Sequence, residues 1–197
     1  MIKLVIFDCY GIVLNEGYPR TSQALASKYG GRWQDYQNIM YGKYFNMAAT
    51  RKISQKEAWI KAVADCKLTL NWQELRDLHY SLMKLDPKAA QLNSWLNEKG
   101  ITTLLLSKNT RSQFVDVSKI FGLRKIFKNI INTWELGLPK ASTKTMNLIL
   151  KRFNVKPSEV IYGDDQRDNL VDANKLGMKT IFAQSLAEFK KGLKKYL

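Results

Sequence analysis

Lys3 to Gly11, KLVIFDCYG, is an apolar run that stops at a carboxylate and then turns at glycine. Leu4 to Phe7 is too short to span a membrane and rich in β-formers. It reads as a buried parallel strand that delivers Asp8 to its carboxyl end. Ligands of open α/β sheets bind at that end, and a carboxylate there can attack phosphorus or carbon, dividing one hard displacement into two easier ones. An Asp that merely caps a turn would look the same over this stretch, so the rest of the chain has to separate the two.

Asn15 to Pro19 leads away from the strand, and from Thr21 to about Leu85 the pattern is helical. Ser54 with Glu57, and Asn71 with Glu74, are capping boxes in which two side chains satisfy each other's orphan amides. Four helices fit, near 20–29, 33–46, 54–66 and 72–85. Trp33, Tyr36, Tyr41, Tyr44, Phe45, Trp59, Trp72 and Tyr80 fall at helical spacing and supply a core for a small bundle rather than a base-stacking platform. His79, the single histidine, has no cysteine, histidine or acidic cluster around it in sequence and reads as a bundle residue.

After Asp86-Pro87 helix and strand alternate. Lys88 to Lys99 reads as a helix, Ile101 to Leu106 as a strand, and Thr110 to Phe121 as a helix with a Thr110/Gln113 box. Asn129 to Ile131 is a short strand, and Pro139 to Phe153 a helix with proline in its first turn. Val160 to Tyr162 is a strand, a helix follows to Lys175, and Lys179 to Ala183 is the last strand. Such alternation predicts an α/β fold, a Rossmann-like parallel sheet with helices on both faces. Residues 1–15 and 86–197 would form that core and residues 16–85 an inserted α-helical bundle cap.

A chain of 197 residues suffices for one buried domain with a smaller insertion, and 45% hydrophobic with 25% charged residues excludes a disordered class. No stretch approaches the roughly 20 apolar residues of a membrane span, and the chain starts at a strand without a leader pattern. The expectation is a soluble cytoplasmic protein with no membrane partner, and Cys9 and Cys66 make no disulfide framework. Thirty-two Lys and Arg against 17 Asp and Glu give a net charge of +15. That charge attracts anionic ligands and allows contact with nucleic acid, although lysines spread this widely fit a solvated surface equally well. The densest cluster, Lys190, Lys191, Lys194 and Lys195, lies on a helix whose Leu186, Phe189, Leu193 and Leu197 would dock on the core.

Three further stretches line up with Asp8, each at a strand end or helix start. Ser107-Lys108-Asn109 offers a hydroxyl, an amide and backbone donors suited to an oxyanion. Lys140, at a helix start, could neutralise charge on a transferring group and orient the nucleophile. Asp164, Asp165 and Asp168 repel one another unless a hard cation such as Mg²⁺ binds them.

With FDCYG, LLLSKN, GLPK and YGDDQRDNLVDANKLGM in this order, and KISQKEAW in the helical insertion, the chain resembles the haloacid dehalogenase superfamily with a helical cap inserted after the first strand. The resemblance covers almost the whole chain. It implies that Asp8 is the nucleophile, that Ser107 and the adjacent amides hold the substrate's oxyanion, and that Lys140 orients and neutralises. It further implies that Asp164, Asp165, Asp8 and the backbone carbonyl of Tyr10 hold Mg²⁺. The acidic motif reads in two registers, Asp168 following Asp164 by four residues and Asn169 following Asp165 by four. Asp165 is favoured as the closer ligand, with Asp168 a ligand or a supporting residue behind the ligands.

Two departures bear on the reaction. The family's phosphatases carry an acid/base Asp two residues after the nucleophile, where this chain has Tyr10, as the family's dehalogenases do. A free tyrosine, with a pKa of about 10, can donate a proton but is a poor base at neutral pH. Ile12 replaces the threonine that usually follows the glycine. Three readings result: a Mg²⁺-dependent hydrolase of a small phosphorylated substrate; a 2-haloacid dehalogenase, with Arg20, Arg32 or Arg51 holding the substrate's carboxylate; and a binding protein of the same fold with weakened turnover.

Overall fold

The computed structural model describes residues 1–197. The N-terminal apolar run forms β1 (Leu4–Asp8), buried at every position. A tight loop follows, in which Gly11 N–H donates to Leu14 O at 2.7 Å and Leu14 N–H to Cys9 O at 2.8 Å. Next come helices α1 (Gly17–Tyr29) and α2 (Trp33–Gln37), a π-helical stretch Asn38–Phe45, and α3 (Asn46–Ala49), α4 (Gln55–Asp65) and α5 (Trp72–Leu82). Then α6 (Ala89–Glu98), β2 (Thr102–Ser107), α7 (Arg111–Ile120), α8 (Leu123–Ile126), β3 (Ile130–Asn132), α9 (Thr133–Leu136) and α10 (Thr143–Phe153) alternate. The chain ends with a 3₁₀ turn, Pro157–Glu159, β4 (Val160–Asp164), α11 (Arg167–Lys175), β5 (Lys179–Phe182) and α12 (Leu186–Leu193). No helix is long and apolar enough to cross a membrane.

The chain divides into two compact units. One comprises Met1–Asn15, Leu85–Asn109 and Asp116–Leu197; the other comprises Glu16–Lys84 with Thr110–Val115, so the boundary runs through α7. In the first unit the strands form one all-parallel sheet in the order β3-β2-β1-β4-β5. Strand order reverses at β1, which opens a crevice at its carboxyl end between β2 and β4. Alternate residues face opposite ways along a strand. Leu4, Ile6, Leu104, Leu106, Val160 and Tyr162 pack with Met146 and Ile149 of α10 and Leu170 and Ala173 of α11. On the opposite face Phe7 meets Phe189 of α12 edge to face at 5.0 Å, and Thr103 Oγ1 donates to Asn93 Oδ1 of α6. By that alternation Asp8 and Asp164 belong to the α10/α11 side.

Gly163 is required by packing. A β-carbon there would stand 2.2 Å from the Phe189 ring, so the strand that ends at Asp164 admits α12 only because it lacks a side chain at this point.

In the helical unit Tyr18, Leu25, Met40, Tyr44, Phe45, Trp59 and Leu75 form a core. Both capping boxes are present: Ser54 with Glu57 start α4, and Asn71 with Glu74 start α5.

The structure departs from the sequence expectations at four places. The helix expected at 33–46 is broken into α2, the π-helical stretch and α3. At α7, Gln113 N–H reaches Thr110 Oγ1 at 3.4 Å, but the Gln113 side chain turns to His79 instead of closing a box. Helix α10 begins at Thr143 and not at Pro139, because Ser142 caps it by accepting from Thr145 N–H at 3.2 Å, while Pro139 and Lys140 lie in the preceding turn. Leu197 lies beyond the end of α12 and is exposed, whereas Leu186, Phe189 and Leu193 are buried.

Candidate active site

Asp8 closes β1 and is 3% exposed. Lys140, 4% exposed and brought in by the turn before α10, donates through Nζ to Asp8 Oδ1 and lies 2.7 Å from Asp164 Oδ2. Asp164 closes β4, the neighbouring strand. Its Oδ1 accepts from Gln166 N–H at 2.9 Å and from Asn169 Nδ2 at 2.9 Å. Its Oδ2 takes the Tyr162 hydroxyl as well as Lys140. Four donors therefore converge on one carboxylate, which leaves Asp164 as the fixed counter-ion of Lys140.

The electrostatics follow from burial. Desolvation, then the neighbouring Asp164, raises the Asp8 carboxyl to about 7 against the pull of Lys140. Burial also opposes the charge on Asp164, but Lys140 and the other donors outweigh it and lower that carboxyl. Lys140 is held cationic by Asp164 and Asp8 despite its own burial. Two buried carboxylates thus share one ammonium.

Asp165 adds a third. One oxygen from each of Asp8, Asp164 and Asp165 lies within 4.8 Å of the others. Asp165 packs on Gly11, whose φ of +90° is open to glycine and strained for other residues. Asp168 lies in the first turn of α11, exposed and outside this cluster. The residue of that turn that does reach in is Asn169.

The second strand end carries Ser107, Lys108 and Asn109. The Ser107 hydroxyl is buried with no hydrogen-bond partner in the chain, the Cys9 thiol being near but outside hydrogen-bond geometry. Lys108 is half-buried, and burial together with Lys140 lowers its ammonium below the ordinary lysine range. Asn109 is held on two sides: its N–H donates to Asn132 Oδ1 at 3.1 Å, and its Nδ2 donates to the Tyr10 hydroxyl oxygen. Tyr10 lies half-buried in the loop after Asp8.

Sequence reasoning missed Tyr162 and Asn132. Tyr162 stands two residues before Asp164, on the same side of one strand, a period-2 signal present in the sequence. Asn132 pairs with Ser107 across β2 and β3, a register no local pattern announces. The arginines considered for a substrate carboxylate are all exposed, and Arg32 is engaged by Asp35 at 2.8 Å.

Comparison with known proteins agrees with this arrangement. The chain is 28% identical over 106 residues to the bifunctional epoxide hydrolase 2 of Mus musculus, covering 51% of this chain and 19% of that one. It thus spans about a fifth of that relative's length. Among solved structures it is similar to a HAD-family enzyme of Bacteroides thetaiotaomicron in complex with magnesium and inorganic phosphate. There the TM-score is 0.74 at 17% identity, covering 92% of this chain and 94% of that one. It is also similar to the L-2-haloacid dehalogenase of Xanthobacter autotrophicus with chloropropionic acid covalently bound, with a TM-score of 0.66 at 20% identity over 91% and 76% of the two chains. The family model of haloacid dehalogenase-like hydrolases matches residues 2–173, nearly the whole sheet and its helices, and the chain belongs to that family of hydrolases.

Proposed function

We propose that the protein hydrolyses small phosphorylated molecules, with Asp8 as the nucleophile and Mg²⁺ as the cation of its acidic cluster. The observation that carries this reading is the charge balance: the carboxylates of Asp8, Asp164 and Asp165 crowd within 4.8 Å with Lys140 between two of them. A hard divalent cation relieves that excess, whereas a substrate carboxylate would add to it. Asp8 raised to about 7 points the same way, since a nucleophile has to be ionised and a bound cation favours the ionised form. Asp8, Asp165 and the backbone carbonyl of Tyr10 would hold the ion, because the oxygens of Asp164 are already taken by four donors. When bound, the ion neutralises charge on the transferring phosphoryl group.

The chain's own residues then divide the work. An Asp8 oxygen attacks phosphorus, the bond to the leaving oxygen breaks, and an aspartyl-phosphate forms. Lys140 holds the other side of Asp8, and the buried Ser107 hydroxyl and the Lys108 ammonium face the phosphoryl oxygens. Water then attacks phosphorus and restores Asp8. The helical unit, residues 16–85 in the main, acts as the cap that selects among substrates.

Tyr10 favours a second reading, carbon–halogen hydrolysis, as the dehalogenase neighbours make concrete. One paired assay separates the two: phosphate release from a phosphomonoester panel with and without Mg²⁺, and halide release from 2-haloacids, with Asp8→Asn as the blank. Mg²⁺-dependent phosphate release, lost in the blank, is the expected result. Metal-independent halide release overturns it, and silence in both arms moves a binding protein for phosphorylated ligands or nucleic acid to the front.

A further inference from the structure

Tyr10 stands where a phosphatase needs a group that protonates the departing oxygen, and nothing in a strand-end loop by itself fixes where a phenol points. Asn109 supplies that constraint. Its amide nitrogen carries only donors, so in the bond from Nδ2 to the Tyr10 oxygen the phenol is the acceptor. The phenolic proton therefore lies on the other side of the oxygen, away from Asn109. Asn109 is itself 1% exposed and anchored through its N–H to Asn132 Oδ1, at the end of the neighbouring strand. The backbone amide of Asn109 is thus committed to Asn132 and its side chain to Tyr10.

We infer that Asn109 is a positioning residue that aims Tyr10 as the proton donor to the leaving group, an inference that rests on the phosphatase reading above. As the Asp8 oxygen bonds to phosphorus and the bond from phosphorus to the leaving oxygen breaks, the phenolic proton passes to that oxygen. The phenolate left behind accepts the Asn109 N–H, which stabilises the negative charge. A phenolate is a far stronger base than the phenol, so it takes a proton from the water that attacks the aspartyl-phosphate. The phenol is restored, and no other reactant is needed.

The test compares two substrates of the magnesium-loaded protein: a nitrophenyl phosphate, whose leaving group departs without a proton, and an alkyl phosphate, whose alkoxide requires one. Tyr10→Phe is expected to lower kcat on the alkyl phosphate about 100-fold and to change the aryl phosphate far less. Asn109→Ala is expected to show the same split at about tenfold, and the double variant to lose no more than Tyr10→Phe alone. Asn109→Asp keeps the shape but replaces the donor with an acceptor that draws the phenolic proton to itself. It guards against misfolding of the alanine variant and should show the split as well. Equal losses on both substrates, or additive losses in the double variant, overturn the inference and leave the phosphatase reading standing. A wild-type protein silent on both phosphates overturns the reading and the inference together.

Discussion

A β-carbon on Gly11 would stand 2.4 Å from the carboxyl carbon of Asp165. The loop after the nucleophile and the acidic turn after β4 are therefore in direct contact, and the contact exists because one partner has no side chain. Gly11→Ala would meet both this overlap and the strain of φ +90°. The acidic turn has to move, so the variant is expected to keep its fold but to need at least about tenfold more Mg²⁺ for half-maximal activity, a shift worth about 1.4 kcal/mol. Titration of activity and of thermal stability against Mg²⁺ checks both parts. An unchanged Mg²⁺ requirement would show that Asp165 is not a ligand.

Asp8 is held in conflict with its surroundings. Its carboxyl is raised above the usual carboxylate range by burial and by Asp164, so the folded state disfavours the charge that catalysis requires. In the unfolded chain the group ionises near its ordinary value, and stability is lost as pH rises from there to about 7. Asp8→Asn removes that cost while leaving Lys140 its partner Asp164. In metal-free buffer at pH 7 the variant should be inactive and about 1 kcal/mol or more stabler than the parent in urea. A clear loss of stability would mean that the Asp8–Lys140 pair outweighs the desolvation.

His79 gives the helical unit a pH dependence of opposite origin. Thr21 Oγ1 donates its one proton to Gly17 O at 2.8 Å, so it accepts from His79 Nδ1 at 2.9 Å. Nε2 is then the bare nitrogen that accepts from Gln113 Nε2 at 3.3 Å. A proton on Nε2 would set donor against donor among the rings of Tyr18, Trp59 and Tyr80, and burial lowers the imidazole to about 3. The unfolded chain binds that proton below about 6.5 and the folded chain does not. Stability should therefore fall by about 2 kcal/mol from this residue alone between pH 6.5 and 5. His79→Gln should flatten that part of the urea-midpoint profile, and an equally steep profile in the variant would assign the loss to other groups.

These particular residues show how far the sequence could be read. Asp8, Ser107 and the Asp164-Asp165 pair were legible because each closes a strand whose apolar run is local and punctuated by a turn. Lys140 was found, but its setting was mistaken: Pro139 and Ser142 are competing helix-start signals, and the side-chain cap of Ser142 prevailed. Asn132 acts on Asn109 only through the register of β3 against β2, and Gln113 acts on His79 across 34 residues. Such pairings come from tertiary packing, which no period of 2 or 3.6 encodes. The fourfold coordination of Asp164 was hidden for the same reason, although its Tyr162 component lay on one strand face.

The Gly163 contact supplies the last test, because it joins packing to chemistry through one peptide. Phe189 lies fully buried between Phe7 and Gly163, and a methyl group at Gly163 would fall 2.2 Å from its ring. The ring cannot swing away without leaving a void beside Phe7, so β4 or α12 has to shift. Overpacking of this kind costs about 1–3 kcal/mol, and Gly163→Ala should lose that much in urea unfolding. Since the next residue is Asp164, the shift also carries the counter-ion away from Lys140, and kcat should fall even where the variant is fully folded. The double variant Gly163→Ala with Phe189→Leu makes room for the methyl group and should regain a large part of both losses. If stability returns and activity does not, the Asp164–Lys140 geometry depends on the glycine itself rather than on the aromatic contact behind it.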